Sequence, residues 1–335
     1  MRARILLLPL LGAVSLLGVG LPAYAAQVGT ATAAGATPQV TSHAVDHSAS
    51  TVKAIAAYWT PQRMREAIAA SAPAGSSTSA VTPPKSAAGA NPPAEDPPAG
   101  AEVLSRPTGA ERLGPMGVRP DNLATAVTQG RVFFHNGVTN QNASCSGGTV
   151  NTPNGDMVIT AAHCVYANFS YMQDWIYVPG YYNGPTGWGT WFASNMAVTS
   201  AWKFNANPYD DFAIVNVAPA GNGVSLVKTT GANGLVTDQS YNQSVVIWGY
   251  PGAYNNGLTP EYCITSTFQS GSLVGAPCNL SQGASGGPWL TSYNATTGLG
   301  YEFGETSTES ASLTDNYSPY FGSDFITLYD QDVGL

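Results

Sequence analysis

Three residues in the second half of the chain have the types needed for nucleophilic catalysis. His163 follows the apolar run 157–159 in the motif Thr-Ala-Ala-His-Cys (160–164), Asp211 precedes the apolar run 212–214, and Ser285 lies in a glycine-rich hexapeptide. A serine hydroxyl is a weak nucleophile at neutral pH unless a base accepts its proton, and that base needs a partner that orients it. The order His…Asp…Ser therefore provides a base, an orienting carboxylate and a nucleophile.

The hexapeptide Gly-Ala-Ser-Gly-Gly-Pro (283–288) surrounds the candidate nucleophile. Glycine permits the tight turn in which backbone amides can face a substrate. The pattern Gly-x-Ser-x-Gly also occurs at the nucleophile of α/β-hydrolases, where the catalytic order is Ser…Asp…His. The order here is the opposite one, and the region lacks alternating strands and helices, so that interpretation is excluded.

These residues and their flanking sequences resemble the chymotrypsin-like (trypsin-fold) serine peptidases, over roughly residues 125–335. The resemblance implies an all-β fold of two six-stranded antiparallel β-barrels, with His163 and Asp211 in the first and Ser285 in the second. It also implies that Ser285 attacks the scissile carbonyl, His163 transfers the proton and Asp211 orients the histidine; the Ser-His-Asp template is drawn from this same family. The amides of Gly283 and Ser285 would form the oxyanion hole.

Two residues compete for these roles. His135 is the other histidine after residue 50, and we interpret it as a structural or surface strand residue because it lacks the small and cysteine neighbours of His163. Asp210 is adjacent to Asp211, but the family places its carboxylate directly before Phe-Ala-Ile. We therefore expect Asp210 to be solvated.

One position departs from the animal digestive members of the family, in which an aspartate precedes the serine and pairs with a newly formed N-terminus. Ala284 occupies that position here. The ion pair cannot form, so activation by insertion of the terminus is not implied. The pattern is similar to that of the bacterial branches, which depend on a pro-region in other ways.

The resemblance also suggests which residues line the specificity pocket. Asn279 lies six positions before Ser285, where the family has its pocket base, and Ser307 and Glu309 would lie in the wall. Glu309 would favour basic residues at the P1 position of a substrate. No histidine follows His163, so the usual glutamate-selective pocket is not recognisable.

The residue pattern after position 130 predicts an all-β domain, because short apolar or alternating runs are separated by Gly, Asn and Pro. A helix is predicted at 324–332, where Phe325, Ile326, Leu328 and Tyr329 would share one face. The predicted strands are 131–135, 147–151, 157–161, 174–179, 197–203, 212–217, 244–250, 262–268, 271–276, 288–292 and 299–307.

The first 120 residues differ in character from the rest. Residues 1–25 have a basic start, an apolar stretch and an Ala-x-Ala ending, which predicts a signal peptide. Residues 26–120 are rich in Ala and Pro and are interpreted as a largely disordered pro-region or linker, with one short helix near 61–70 that Thr60 would cap. We expect its removal somewhere in 105–125, and a peptidase domain at 121–335 with barrels at about 121–225 and 226–335.

Four cysteines occur, at positions 145, 164, 263 and 278. An even number in an exported chain indicates disulfides. Of three possible pairings we favour Cys145–Cys164 and Cys263–Cys278, because each closes a loop within one half of the domain. A zinc site is the competing interpretation, but the chain has no Cys-x-x-Cys motif and only one histidine beside a cysteine.

The distribution of charge along the chain indicates which classes of binding partner are disfavoured. The net charge is −8, and residues 121–335 carry 14 acidic against three basic residues. Such a surface disfavours nucleic acids and anionic membranes. We therefore predict a monomeric, secreted serine endopeptidase that acts on peptides or proteins, without cofactor, metal or membrane partner. The alternatives are a catalytically idle binding protein of the same fold and an esterase with the same catalytic residues.

Overall fold

The computed structural model describes residues 40–72, 96–110, 127–219 and 223–335. Its strands are β1 (Val40–Ala44), β2 (Glu102–Ser105), β3 (Gln129–Asn136), β4 (Gln141–Val150), β5 (Met157–Thr160), β6 (Tyr166–Ala167), β7 (Ser170–Tyr171), β8 (Gln173–Pro179), β9 (Trp191–Thr199), β10 (Ala213–Pro219), β11 (Gly234–Thr237), β12 (Ser244–Gly249), β13 (Glu261–Ser266), β14 (Phe268–Ser270), β15 (Leu273–Ala276), β16 (Pro288–Asn294), β17 (Leu299–Glu305), β18 (Thr308–Glu309) and β19 (Asn316–Pro319). The α-helices are α1 (Ala49–Tyr58), α2 (Pro61–Ala70), α3 (Ser200–Asn205), α4 (Leu226–Thr230) and α5 (Ser323–Asp332), and 3₁₀ turns occur at Ala162–Cys164, Pro208–Asp210 and Asn255–Gly257.

The first half forms a closed antiparallel barrel. Its strands follow the order β9-β10-β5-β4-β3-β8, and β8 pairs again with β9 to complete the ring of six. Strand β1 pairs with the remaining edge of β9 over five residues. Closure removes the free edges of the sheet and so gives rigid support to residues at the strand ends.

Side chains of this barrel are buried on both faces. In β3, Val132 and Phe134 lie in the barrel core, whereas Phe133 points outward and packs with Ile55 and Trp59 of the N-terminal helical region. Because side chains alternate along a strand, an apolar run of three can be fully buried only when a second layer covers the outer face. Helices α1 and α2 provide that layer.

The second half contains two sheets around a shared core. One has the order β13-β12-β16-β17-β11-β2 and the other β14-β15-β19-β18. Trp289, Phe303 and Val274, from both sheets, belong to one buried cluster. The pairing of β11 with β17 is parallel, and the remaining strand pairs are antiparallel. The predicted fold class, a chymotrypsin-like double barrel with a C-terminal helix, is confirmed.

The predicted disorder of residues 26–120 needs correction at two places. Residues 40–58 form β1 and α1, and residues 102–105 form β2, which pairs with β11. Composition alone did not reveal this because exposed sheet edges supply the hydrogen bonds that such segments cannot form by themselves. The helix predicted near 61–70 is α2, and Thr60 caps it by accepting a hydrogen bond from the backbone N–H of Arg63 (3.2 Å).

Most predicted strands correspond to observed ones, with one clear exception. The predicted strand 197–203 ends at Thr199, whose side chain accepts from Trp202 N–H and begins helix α3. The C-terminal helix is α5, where Phe325, Leu328 and Tyr329 are buried and Ile326 is half-buried. The signal peptide predicted at 1–25 lies outside the described residues, as does most of the predicted maturation region 105–125. No helix in the described ranges combines the length and apolarity needed to cross a lipid bilayer.

Candidate active site

His163 lies on a 3₁₀ turn at the end of strand β5. The turn Ala162–Cys164 follows the buried strand directly, and Cys164 is joined by a disulfide to Cys145 of β4. Trp175 donates its indole N–H to the carbonyl of Cys164 (3.2 Å). These contacts hold the backbone of the turn, and the imidazole side chain remains 34% exposed. The histidine is therefore fixed at its base and accessible at its tip.

Asp211 is the hydrogen-bonding partner of this histidine. It is 4% exposed, and its Oδ2 lies 2.8 Å from Nδ1 of His163, while Oδ1 accepts from the backbone N–H of the same residue (2.8 Å). Ser307 Oγ donates to Oδ2 as a further contact (2.6 Å). A carboxylate can only accept, so Nδ1 carries the proton and Nε2 is left as the acceptor. A general base requires this tautomer.

The pKa of His163 is the result of opposing effects. Burial lowers it, but the negative charge of Asp211 and the hydrogen bond to that carboxylate raise it, and the net shift is upward from 6.5. The imidazole is thus a stronger base than a free histidine, which suits a group that must accept a proton from a hydroxyl.

Asp210 is not the solvated neighbour that we expected. It is 1% exposed, Asn207 Nδ2 donates to its Oδ2, and its Oδ1 has no hydrogen-bond partner among the described residues. Burial and the charge of Asp324 raise its pKa to about 6. Asp211, and not Asp210, contacts the imidazole of His163. The expectation that Asp210 is solvated was wrong, because the turn Pro208–Asp210 buries its side chain.

Ser285 lies on the turn predicted from its glycines. Gly286 has φ +78°, and a β-carbon there would come within 2.1 Å of Thr160 Oγ1 and 2.4 Å of Ser146 O. Gly283 has φ +95°, and a β-carbon there would lie 2.7 Å from Tyr250 O. Only glycine fits these two positions, because both the backbone conformation and the space exclude a side chain.

Two connections bring Ser285 to the same region as the histidine and its carboxylate. The backbone N–H of Ser146 donates to the carbonyl of Ser285 (2.7 Å), and Ser146 follows Cys145, the disulfide partner of the residue after the histidine. On the other side, Gly286 N–H donates to Thr306 O (2.8 Å), and Thr306 precedes the serine that contacts Asp211. His163 and Ser285, which are 122 positions apart in the sequence, are thus connected through contacts in both halves of the domain.

The backbone N–H groups of Gly283 and Ser285 have no acceptor among the described residues. The neighbouring amides do have partners: Ala284 N–H donates to Ser281 O (3.1 Å) and Gly287 N–H to Ala284 O (2.9 Å). Two unpaired donors in one turn, beside a half-buried serine, can bind an oxyanion.

A cavity of about 170 Å³ adjoins Ser285. Glu309 is the ionisable residue of its lining and is half-buried, and burial raises the pKa of its carboxyl group. The lining comprises Leu280, Ser281, Gln282, Ser285, Thr306, Ser307, Thr308, Glu309 and Asn316.

The structure brings only two of the three predicted pocket residues to this cavity. Ser307 and Glu309 line it, but Asn279 is exposed and contributes its carbonyl to a long contact from Tyr254 Oη (3.4 Å). Asn316 of β19 lines the cavity instead, and its amide is held by the backbone of Leu280. No local motif marks Asn316, because it reaches the site only through the pairing of β19 with β15. The contact of Ser307 with Asp211 was likewise not anticipated.

Both predicted disulfides are present, Cys145–Cys164 and Cys263–Cys278. The first lies beside His163, and the donor atoms of these three residues cluster within 4.8 Å. The two sulfurs are bonded to each other, so they are not available as thiolate ligands. His135, the other candidate histidine, lies on β3 with Nδ1 2.9 Å from Asn142 Oδ1 and plays a structural part.

Comparison with known proteins adds to this description. No protein-family model matches the sequence, and no curated protein matches it. Among solved structures, the protease Anisep from Arthrobacter nicotinovorans is 29% identical with a TM-score of 0.58, and the match covers 64% of this chain and 99% of that one. The thermostable serine protease AL20 from an extremophilic microorganism is 26% identical with a TM-score of 0.58 (62% and 98%).

A third solved structure shares the fold at lower identity. It is a Glu endopeptidase, 17% identical with a TM-score of 0.53, and the match covers 68% of this chain and 99% of that chain. At this identity the likeness concerns the fold alone. Since Anisep and AL20 are matched over nearly their whole lengths, the chain is similar to bacterial chymotrypsin-like (trypsin-fold) serine peptidases and shares their fold.

Proposed function

We propose that this chain is a secreted serine endopeptidase in which Ser285, His163 and Asp211 act together. Ser285 Oγ attacks the scissile carbonyl while its proton passes to His163 Nε2. The C–N bond then breaks as the imidazolium donates that proton to the leaving amine, and an acyl-enzyme remains. A water molecule, deprotonated by the same imidazole, hydrolyses the ester and regenerates the serine.

One observation carries this proposal: Asp211 accepts from both the backbone and Nδ1 of His163, which leaves Nε2 as the acceptor. An idle binding protein of this fold would not require that tautomer. The unpaired amides of Gly283 and Ser285 support the same conclusion, because they would receive the negative charge of the tetrahedral intermediate.

Labelling with a fluorophosphonate probe tests the assignment of the nucleophile. We expect the purified protein to be labelled once per chain, and Ser285→Ala to abolish labelling and lower turnover by ~10⁶-fold. Ser312→Ala, at an exposed serine, is the matched control and should label normally. Unchanged labelling of the Ser285→Ala variant would contradict the proposal. Peptide and ester substrates assayed side by side distinguish an endopeptidase from an esterase.

For specificity, we propose that Glu309 favours lysine or arginine at P1. Its carboxyl group is the ionisable group of the cavity beside Ser285. Cleavage of a peptide library should show a basic preference that Glu309→Gln weakens by about tenfold or more, since an opposite charge is lost from a half-buried pocket. An unchanged P1 profile in the variant would rule out this role.

Export and maturation are also part of the proposal. Residues 1–25 would direct secretion, and the pro-region would be cleaved within 105–125, between the end of β2 and the start of β3. Two disulfides agree with an oxidising compartment. N-terminal sequencing of protein from the culture medium tests both points, and a first residue before position 100 would contradict the proposed cleavage region.

A further inference from the structure

Arg131 is a buried cation in the middle of strand β3. It is fully buried, and its polar partners among the described residues are two carbonyls and one hydroxyl, with no carboxylate. Nη1 donates to the carbonyls of Gly257 and Tyr250 (the latter at 3.4 Å), and Nη2 donates to Ser144 Oγ (2.7 Å). The Nε atom has no hydrogen-bond partner within the part of the chain that the structure describes.

Three aromatic rings surround the guanidinium. Its central carbon lies 5.9 Å from the ring centre of Phe133, 6.0 Å from that of Tyr181 and 5.3 Å from that of Tyr250. Burial lowers the pKa of Arg131 to about 10, so the group keeps its positive charge near neutral pH. An unpaired buried charge is expensive, and an apolar side chain would fill the same space at less cost. Its presence therefore calls for a role beyond packing.

The position of the charge indicates that role. Nη2 lies 3.7 Å from the point that a β-carbon on Gly283 would occupy. The carbonyl of Gly283 accepts from Ser146 Oγ (2.9 Å), which in turn accepts from Tyr250 N–H (3.0 Å). Arg131 thus lies next to Gly283, in the turn whose Gly283 and Ser285 amides have no acceptor among the described residues, and it donates to the carbonyl of Tyr250, whose N–H contacts Ser146 Oγ.

We propose that Arg131 is a positioning residue for the oxyanion site, which it supports by placing a fixed positive charge behind the amide of Gly283. The inference rests on the proposed function, because the oxyanion forms only if Ser285 attacks a carbonyl. A preorganised charge in a dry environment stabilises negative charge that develops in the transition state and does so without reorganisation. By Coulomb's law, a unit charge about 8 Å from the oxyanion at an effective dielectric constant of about 20 would change the rate by about 30-fold, and we take this as the expected scale of the effect.

A purely structural role predicts different behaviour. Arg131 also joins β3 to the loop around Gly257, where Ile68 of α2 packs. If Arg131 acts only through these structural hydrogen bonds, any substitution that removes them should have the same effect. Such a loss would change KM together with kcat. A field effect depends on the charge and appears in kcat, with little change in KM.

The experiment compares Arg131→Met, Arg131→Gln and Ser144→Ala in the full chain. The substrate is a peptide selected with the unmodified enzyme, and the second probe is the same peptide as a trifluoromethyl ketone, which forms an oxyanion when the serine adds to it. For Arg131→Met we expect kcat to fall about 30-fold with KM within about threefold, and the affinity for the ketone to fall by the same factor. Ser144→Ala should keep kcat within about threefold, because it retains the guanidinium. Arg131→Gln, which is polar but uncharged, should lose kcat to the same extent as Arg131→Met.

Several results would overturn the inference. They are a loss of kcat in Arg131→Met that Arg131→Gln does not share, an unchanged affinity for the ketone in Arg131→Met, or an effect confined to KM. If Arg131→Met does not fold, Arg131→Gln decides: a kcat within about threefold of that of the unmodified enzyme excludes a role for the charge. Failure of the proposed function is a separate outcome, because the unmodified enzyme would then neither cleave peptides nor react with a fluorophosphonate.

Discussion

Asp211→Asn should disable the enzyme by reversing the histidine tautomer, and the structure shows why the new amide cannot adapt. The backbone N–H of His163 donates to Oδ1 and can only donate, so the amide oxygen must occupy that position. The amide NH₂ then replaces Oδ2 and faces Nδ1 of His163 and the hydroxyl of Ser307. The imidazole then carries its proton on Nε2, so Nε2 can no longer accept a proton from Ser285.

The magnitude follows from the contacts that the active tautomer would lose. In the variant, the tautomer with its proton on Nδ1 loses the hydrogen bond to the charged carboxylate, at about 1.5–3 kcal/mol. Its Nδ1–H also faces the new amide NH₂, and leaving these buried donors without an acceptor costs about 1–3 kcal/mol more. The sum of about 2.5–6 kcal/mol corresponds to roughly 10²- to 10⁴-fold in kcat. The upper end agrees with the ~10⁴-fold effect of the same substitution in the template of this fold.

The assay is steady-state hydrolysis of a peptide substrate together with the rate of labelling by a fluorophosphonate. Asp210→Asn is the matched control, because Asp210 is buried beside Asp211 but contacts Asn207 and not the histidine. We expect it to retain kcat within about threefold, since an isosteric neutral amide replaces a group that contacts neither His163 nor Ser285. Full activity in Asp211→Asn, or inactivity confined to Asp210→Asn, would refute this account of the two aspartates.

Three further predictions concern pH and stability. The acid limb of kcat/KM should reflect a pKa above 6.5, since Asp211 outweighs the effect of burial on His163 and activity is lost when the imidazole is protonated; a limb below 6.5 would contradict this. Replacing Cys145 and Cys164 by alanine opens a 19-residue loop and should lower the free energy of unfolding in urea by about 3 kcal/mol, together with kcat; unchanged kcat would show that the bridge does not position the histidine. Glu302 is fully buried without a hydrogen-bond partner among the described residues, and burial raises its pKa well above 4.5, so the stability it contributes is fully present below pH 4.5 and is lost as pH rises through the raised pKa. Glu302→Gln should therefore reduce the loss of stability with rising pH, measured as the free energy of unfolding in urea at a series of pH values. Identical pH profiles for the two proteins would contradict this role of Glu302.

The N-terminal region illustrates where composition misled the prediction. Residues 40–44 have no strand signal strong enough to be recognised, yet they pair with five residues of β9. Tyr171 Oη donates to the carbonyl of Thr41 (2.8 Å) and Trp59 donates to the carbonyl of Asp174 (2.6 Å). The residues in these pairings and hydrogen bonds lie more than 100 positions apart, so no local window of sequence contains the information. By contrast, helix α2 has its cap and its first-turn proline within the helix itself and was predicted correctly.

Sequence alone was enough to predict the order of His163, Asp211 and Ser285, the glycine turn around the serine, the two disulfides and the all-β class. Each depends on residue types at short range or on a small number of possible pairings. Four features became visible only in the folded chain: Asp210 is buried, Ser307 contacts Asp211, Asn316 lines the cavity in place of Asn279, and Arg131 lies next to Gly283. These contacts arise where two barrels and distant strand pairings meet, and their geometry depends on packing and register that no local pattern encodes.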